Sequence, residues 1–179
     1  MIHKGFTLLE MMIVVSMMAA LIVATLQFYK ASSENGKITQ AIQEQGQILG
    51  AIRNIYGVMP DYDGLNNTAL FNSNSLPFSV LTPGKSTWIA SPWSRNGITV
   101  STTAAAPYDK IILKYTAGIS PEICTSFISK MYREHPKVEV GTNTVHDITA
   151  STPATSDVTR ISNECNAASS PIQITITSY

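Results

Sequence analysis

The apolar block of residues 6–26 constrains the fold of this chain more than any other stretch, because Glu10 is its only formal charge. At about 1.5 Å per residue, a helix of this length spans roughly 30 Å, which matches the hydrocarbon core of a bilayer. Lys4 precedes the block, and no small-residue site of the kind that ordinary signal peptidases cut follows it. The sequence therefore predicts a membrane-anchoring helix over 6–29.

Glu10 stands out because a carboxylate inside a bilayer costs several kcal/mol, so such acids usually have a partner and mark a function. If the chain were cut between Gly5 and Phe6, the new ammonium at Phe6 would lie one helical turn from Glu10. The same ammonium on an adjacent copy would attract the carboxylate strongly in a medium of low dielectric constant. The alternative is a carboxylate near the helix start that the helix dipole and headgroup water favour. On this residue alone, the two interpretations are equally supported.

The polar part of the chain is predicted to form one domain, because about 150 residues after Phe28 suffice for a single core. The 12 basic and 12 acidic side chains give a formal net charge of zero. This balance disfavours duplex DNA or an anionic membrane surface as a partner. Cys124 and Cys165 both lie outside the apolar block. An even pair indicates a disulfide in an oxidising compartment, with two buried free thiols as the alternative.

Hydrophobic periodicity predicts an α+β fold with a long N-terminal helix. Its membrane-spanning first half continues into an amphipathic half over 30–58, with Gly36 as the expected position of a bend. This second half packs on an antiparallel sheet in a globular head over 59–179. Alternating or apolar runs predict strands, and a capping pattern predicts a second helix that carries Cys124 in its first turn. The strands are expected at 97–102, 110–115 and 172–177, the helix at 120–132, and a loop or short elements at 65–83.

The sequence KGFTLLE at residues 4–10, followed by the apolar run, resembles the processing and methylation motif of type IV prepilins. The resemblance implies a leader peptide over 1–5, cleavage after Gly5 and N-methylation of Phe6. It also implies that Glu10 pairs with the terminal amine of a neighbouring subunit. Lys4 would hold the leader on the cytoplasmic side. A separate prepilin peptidase and N-methyltransferase performs both modifications in this family, so the chain itself is not expected to be an enzyme.

The C-terminal part has a second resemblance, to the heads of class b type IV pilins. It rests on the Pro92-Trp93 turn before a strand, a helix bearing Cys124, and a later Cys165 before a final strand. The resemblance implies a disulfide between Cys124 and Cys165 that closes a C-terminal loop. The two resemblances cover most of the chain apart from about residues 61–87. The five-residue leader and Phe6 resemble class a instead, so the subclass stays open.

These resemblances imply a structural subunit of a type IV pilus that is polymerised through its apolar helix into an extracellular filament. Before assembly the subunit would reside in the inner membrane, in a Gram-negative cell. Its partners would be identical subunits, the peptidase and an inner-membrane assembly platform. Alternatives are a minor pilin, a type II secretion pseudopilin or, in a different class, a single-span membrane-tethered binding domain. Contact of the filament with a host cell, a mating cell or DNA is left open.

No catalytic or cofactor-binding motif is apparent. The histidines lack the spacing of a zinc site, and neither a nucleotide-binding loop nor a hydrolase motif occurs, so no cofactor or metal is predicted. Asp61 and Asp63 could offer carboxylates to calcium, but a helix-ending turn is the favoured interpretation because the other ligands of a calcium loop are missing. Trp88 and Trp93 are predicted to anchor the core or a turn.

Overall fold

The computed structural model describes residues 7–150 and 157–179. They fall into two units, one extending to Gly36 and a head from Lys37 to Tyr179. Helix α1 (Leu8–Tyr56) contributes residues to both units. The head adds the helices α2 (Asn67–Asn72), α3 (Pro121–Met131) and α4 (Val158–Ala167) and the strands β1 (Ile89–Ser91), β2 (Ser94–Thr102), β3 (Ile111–Tyr115), β4 (Lys137–Val140), β5 (Asn143–Asp147) and β6 (Ile174–Ser178).

The six strands form one antiparallel sheet in the order β1-β2-β3-β6-β4-β5. Side chains alternate between the two faces of a strand, so every second residue points to the core. Leu113 on β3 lies opposite Ile176 on β6, which in turn lies opposite Val138 on β4, and all three are buried. The strand predicted from the apolar run at 110–115 and the strand predicted from alternation at 172–177 therefore form the centre of the sheet.

The head portion of α1 packs on this core through one face. Its fully buried residues include Ile38, Ala41, Ile48 and Ile52, spaced by three, seven and four positions as one helical face requires. The predicted α+β fold is confirmed. The helix expected at 120–132 is present as α3. The structure also contains β1, β4, β5 and α4, which the sequence pattern had not indicated.

The segment over 65–83, expected to be a loop or short elements, contains α2 and a 3₁₀ turn at Phe78–Val80. The Asn67 side chain ties this segment to β2. Its amide group donates to the carbonyls of Thr87 and Ile98 at 2.9 and 3.0 Å, and its oxygen accepts from the Val100 amide at 2.7 Å. One side chain thus makes hydrogen bonds to three backbone groups, two of which belong to β2.

The two tryptophans lie in different environments. Trp93 contacts Tyr115 and Phe127 edge to face, with ring centroids 6.3 and 5.5 Å apart. Trp88 is 36% exposed, and the Lys85 ammonium lies 5.1 Å from its ring centroid. Trp93 anchors the core as the sequence predicts, whereas Trp88 belongs to the surface near β1.

Candidate functional site: the apolar helix and the disulfide-closed region

The N-terminal unit exposes an apolar helical surface. Among the described residues, α1 is the single helix long and apolar enough to cross a membrane, and 0% of its apolar window is buried within the protein. The side chains from Leu8 to Leu26 are exposed. Such a surface requires lipid or other protein to cover it, because a soluble protein rarely exposes an apolar patch of this size.

The polar residues of this surface differ in whether their side chains are satisfied locally. Ser16 Oγ donates to the Ile13 carbonyl at 2.8 Å, and Thr25 Oγ1 donates to the Ile22 carbonyl at 2.9 Å. These hydroxyls can therefore enter an apolar environment without losing a hydrogen bond. Within residues 7–150 and 157–179, no such bond or ion pair engages the Glu10 carboxylate.

Thr7 accepts hydrogen bonds from the backbone amide of Glu10, a contact that the sequence interpretation missed. The Glu10 amide donates to the Thr7 carbonyl at 3.1 Å and lies 3.3 Å from Thr7 Oγ1. Thr7 thus caps the start of α1, and Glu10 occupies the third helical position, as in the T-x-x-E capping box. That pattern was readable in the sequence. Gly5 and Phe6, the predicted processing residues, lie outside the described residues.

A disulfide joins Cys124 on α3 to Cys165 on α4, with an S–S distance of 2.00 Å and Cα atoms 5.9 Å apart. Both cysteines are fully buried in the head. The alternative of two free thiols is therefore wrong, and the loop that the resemblance implies is closed. The bond links the two helices across a sequence separation of 41 residues.

The calcium alternative receives no support from the described side chains. Asp61 Oδ1 accepts a hydrogen bond from the Asp63 amide at 3.2 Å, which is the geometry of an Asx turn. Across the described ranges, no cluster of three or more histidine, cysteine, aspartate or glutamate side chains is placed to hold a metal ion. The local hydrogen bond fits the helix-ending turn that the sequence favours.

A buried polar contact connects α1 to the segment before β4. Gln45 Nε2 lies 2.6 Å from His135 Nε2, and both side chains are buried. Burial lowers the pKa of His135; the nearby Glu134 carboxylate opposes the shift and the Arg53 guanidinium adds to it. The imidazole is therefore held in its neutral form, in which Nε2 can accept a hydrogen bond from the Gln45 amide.

This neutral histidine predicts a pH-dependent stability of the head. An unfolded histidine titrates near pH 6.5, whereas the pKa of His135 in the folded head is lower. The unfolded chain therefore binds a proton first as the pH falls, so the free energy of unfolding is highest above about pH 6.5 and decreases on acidification. One proton can contribute a slope of at most about 1.4 kcal/mol per pH unit. His135→Gln should flatten the decline in unfolding free energy between about pH 7.5 and about pH 5, measured by urea titration. His146, whose pKa burial also lowers, remains in both proteins. Equal declines in the two proteins would contradict the assignment.

The sequence of this chain matches the profiles of two protein families. A profile for the family described as bundlin matches residues 30–176. The chain belongs to the bundlin family. A second profile, described as the prokaryotic N-terminal methylation motif, matches residues 1–26. The resemblance to type IV pilins is thereby confirmed, and so is the expectation that this pilin is not an enzyme.

Two curated relatives of the pilin are each described as the major structural subunit of the bundle-forming pilus. They come from Escherichia coli O127:H6 (strain E2348/69 / EPEC) and Escherichia coli O111:H-. Each is 30% identical over 75 residues, which is 42% of this chain and 39% of the relative. The match therefore spans about two fifths of the length of these relatives.

Among solved structures, the pilin resembles TcpA, described as a type IV pilin from Vibrio cholerae El Tor biotype. The TM-score is 0.61 at 12% sequence identity, over 80% of this chain and 99% of TcpA. At this identity the likeness establishes the fold alone. That fold combines a long N-terminal helix with an antiparallel sheet.

Proposed function

We propose that this pilin is the structural subunit of a type IV pilus, polymerising with identical copies into an extracellular filament. The observation that carries the proposal is the exposed apolar surface of α1 between Leu8 and Leu26, on a chain whose first residues match the methylation motif. Lipid covers this surface before assembly. In the filament, the α1 helices of neighbouring subunits replace the lipid, and their close van der Waals packing favours assembly.

The proposal divides the chain by role. Residues 1–5 are a leader that the prepilin peptidase removes after Gly5, and the same enzyme methylates the new terminus at Phe6. Residues 6–29 anchor the subunit and then assemble it, 30–58 continue the helix into the head, and 59–179 form the outer part of the filament. The inner-membrane assembly platform of a Gram-negative cell receives the processed subunit.

Glu10 sets the register between subunits in this proposal. Its carboxylate would meet the Phe6 ammonium of an adjacent subunit, where the apolar surroundings strengthen the attraction between opposite charges. Two structural features support this role: the apolar neighbours of Glu10 are exposed, and the three hydroxyl side chains of the block already have local hydrogen bonds, Ser16 and Thr25 to backbone carbonyls and Thr7 from the Glu10 amide. Glu10 is thus the polar group of the block that gains most from a partner.

A major pilin is favoured over a minor pilin or a secretion pseudopilin because both curated relatives are described as the major subunit of a pilus. The disulfide-closed region of the head, formed by Cys124 and Cys165, is in keeping with the same assignment. A membrane-tethered binding domain would not require the methylation motif that residues 1–26 match.

Intact mass tests the proposal most directly. The protein recovered from membranes and from sheared cell-surface material should lack residues 1–5 and carry one added methyl group. A Gly5→Leu variant should keep its leader and stay in the membrane fraction. An uncut, unmethylated chain confined to membranes would overturn the proposal and favour the tethered domain.

A further inference from the structure

Two exposed aromatic side chains follow the apolar block of α1. Phe28 is 78% exposed and Tyr29 is 74% exposed. Neither belongs to the core of the head, because the first buried residue of α1 is Ile38. Aromatic rings that extend an already large exposed apolar surface are typical of an interaction site. We therefore expect a partner outside the head to cover them.

The two rings belong to a full turn of exposed residues, 27–30, which we name the aromatic turn. Consecutive residues of a helix point in directions about 100° apart, so Gln27, Phe28, Tyr29 and Lys30 together surround α1. All four are exposed. A single docked helix or loop would cover one side of α1 at this level and leave the other side in water. A bilayer surrounds the helix, so the geometry favours lipid as the partner.

Polarity increases along α1 in the order that a membrane surface requires. The apolar block ends at Leu26, the aromatic pair follows, and Lys30 carries the first charge after Glu10. Tyrosine is enriched at the headgroup level of membranes because its ring is apolar and its hydroxyl is polar. The stem of a lysine can lie along apolar surface while its ammonium reaches the lipid phosphates. Glu34 and Lys37 come one and two turns later, so Lys30 is the charge nearest to this end of the apolar block.

We propose that, before assembly, the aromatic turn lies in the phospholipid headgroup layer of the outer leaflet of the inner membrane and fixes the depth of α1. The inference rests on the proposed function, in which α1 anchors the subunit. The Lys30 ammonium pairs with lipid phosphate, and the Tyr29 hydroxyl bonds to headgroup oxygens. The Phe28 ring packs on the first methylene groups of the acyl chains. Together these contacts oppose movement of α1 in either direction along the membrane normal.

The position of the aromatic turn also determines where Glu10 lies before assembly. Glu10 and Tyr29 are 19 positions apart, which is about 28 Å along a helix. The hydrocarbon core is about 30 Å thick, so Glu10 lies near the cytoplasmic surface when Tyr29 lies at the outer one. A charge costs most at the bilayer centre and less where headgroup water reaches it. The carboxylate therefore stays hydrated until the subunit leaves the bilayer.

Spin labels measure the depth of α1 in vesicles of phosphatidylcholine and phosphatidylglycerol. Both cysteines of the full-length pilin are in the disulfide, so one added cysteine provides a single free thiol. Separate variants carry a nitroxide at Leu8, Met12, Ser16, Ala20, Ala24 or Ala31. Collisions with oxygen, relative to collisions with a water-soluble nickel complex, increase with depth in the hydrocarbon. We expect the deepest label at Ala20 and similar shallow labels at Leu8 and Ala31. A deepest label before Ser16 or after Ala24 would contradict the proposed depth.

Two double variants test whether the aromatic turn fixes this depth. Phe28→Leu combined with Tyr29→Leu extends the apolar block and removes the interfacial groups. We expect α1 to shift so that the label at Ala31 collides several-fold less often with the nickel complex. Phe28→Trp combined with Tyr29→Trp is the matched control, because it keeps aromatic rings that favour the interface, and its profile should match the wild type. Equal profiles for the wild type and the leucine variant would overturn the inference.

A different result would refute the proposed function. If the labels at all six positions were equally accessible to the nickel complex, α1 would not enter the bilayer, and the anchoring step of the proposed function would fail too. A wrong depth profile, found together with the processed and methylated protein in sheared material, would overturn this inference alone.

Discussion

Loss of the disulfide between Cys124 and Cys165 is expected to lower the free energy of unfolding of the head by about 4 kcal/mol. In the loop-entropy model, this is the gain from closing a loop of the observed separation, 41 residues. Domains of this size are stable by roughly 5–15 kcal/mol, so the loss is a large share of the total. The effect should concentrate at α4, whose other buried residue is Ile161.

Urea unfolding of the full-length pilin in detergent measures this loss through the fluorescence of Trp93, which is half-buried against the core. The variant with both Cys124→Ala and Cys165→Ala avoids a free thiol that could form mixed disulfides. It should unfold at a clearly lower urea concentration than the wild type. Reductant should destabilise the wild type and leave the double variant unchanged. Equal midpoints for the two oxidised proteins would show that the disulfide does not stabilise the head.

The centre of the fold was predictable because local pattern and tertiary role agree there. On β3, Ile111, Leu113 and Tyr115 are buried and alternate with less buried residues, as the period of two requires. Ser120 caps α3 by accepting from the Ile123 amide, and Pro121 occupies the first turn, as the sequence indicates. These elements can be read from neighbouring residues alone.

The hairpin of β4 and β5 was missed although its signal is present. Val138 and Val140 alternate with Lys137 and Glu139, whose ammonium and carboxylate groups form an ion pair at 2.7 Å on the outer face. Gly141 follows with a φ of +61°, which the tight turn between the strands requires.

Other features could not be derived from local pattern. Helix α4 is rich in Thr, Ser and Asn, which are weak helix formers, and tertiary contacts fix it through Ile161 and Cys165. Strand β6, last in the chain, lies between β3 and β4, so its position depends on pairing with strands distant in sequence. At the candidate site, Glu10 was predicted, but the capping role of Thr7 was not, because Thr7 had been considered only as part of the apolar run.

That cap makes a matched pair of variants informative, and Glu10→Gln should have the larger effect. Glutamine can take the third position of a capping box, so helix initiation is preserved, but the negative charge is lost. The ammonium of Phe6 on the adjacent subunit would then be buried without a partner, which costs about 3–5 kcal/mol. Each 1.4 kcal/mol is a factor of about ten in an equilibrium constant, so we expect filament yield to fall at least about a hundredfold.

Thr7→Ala is the matched control, because it removes the capping oxygen and keeps the Glu10 charge. A lost cap costs about 1 kcal/mol of helix stability, and packed neighbours can compensate for it, so yield should stay within about tenfold of wild type. Sheared pilin relative to the membrane pool, quantified by immunoblot, compares the variants at equal expression. If Thr7→Ala abolished filaments while Glu10→Gln assembled normally, Glu10 would serve the start of α1 and not the register between subunits. The two variants thus separate a local hydrogen bond from an intermolecular charge pair at the same helical turn.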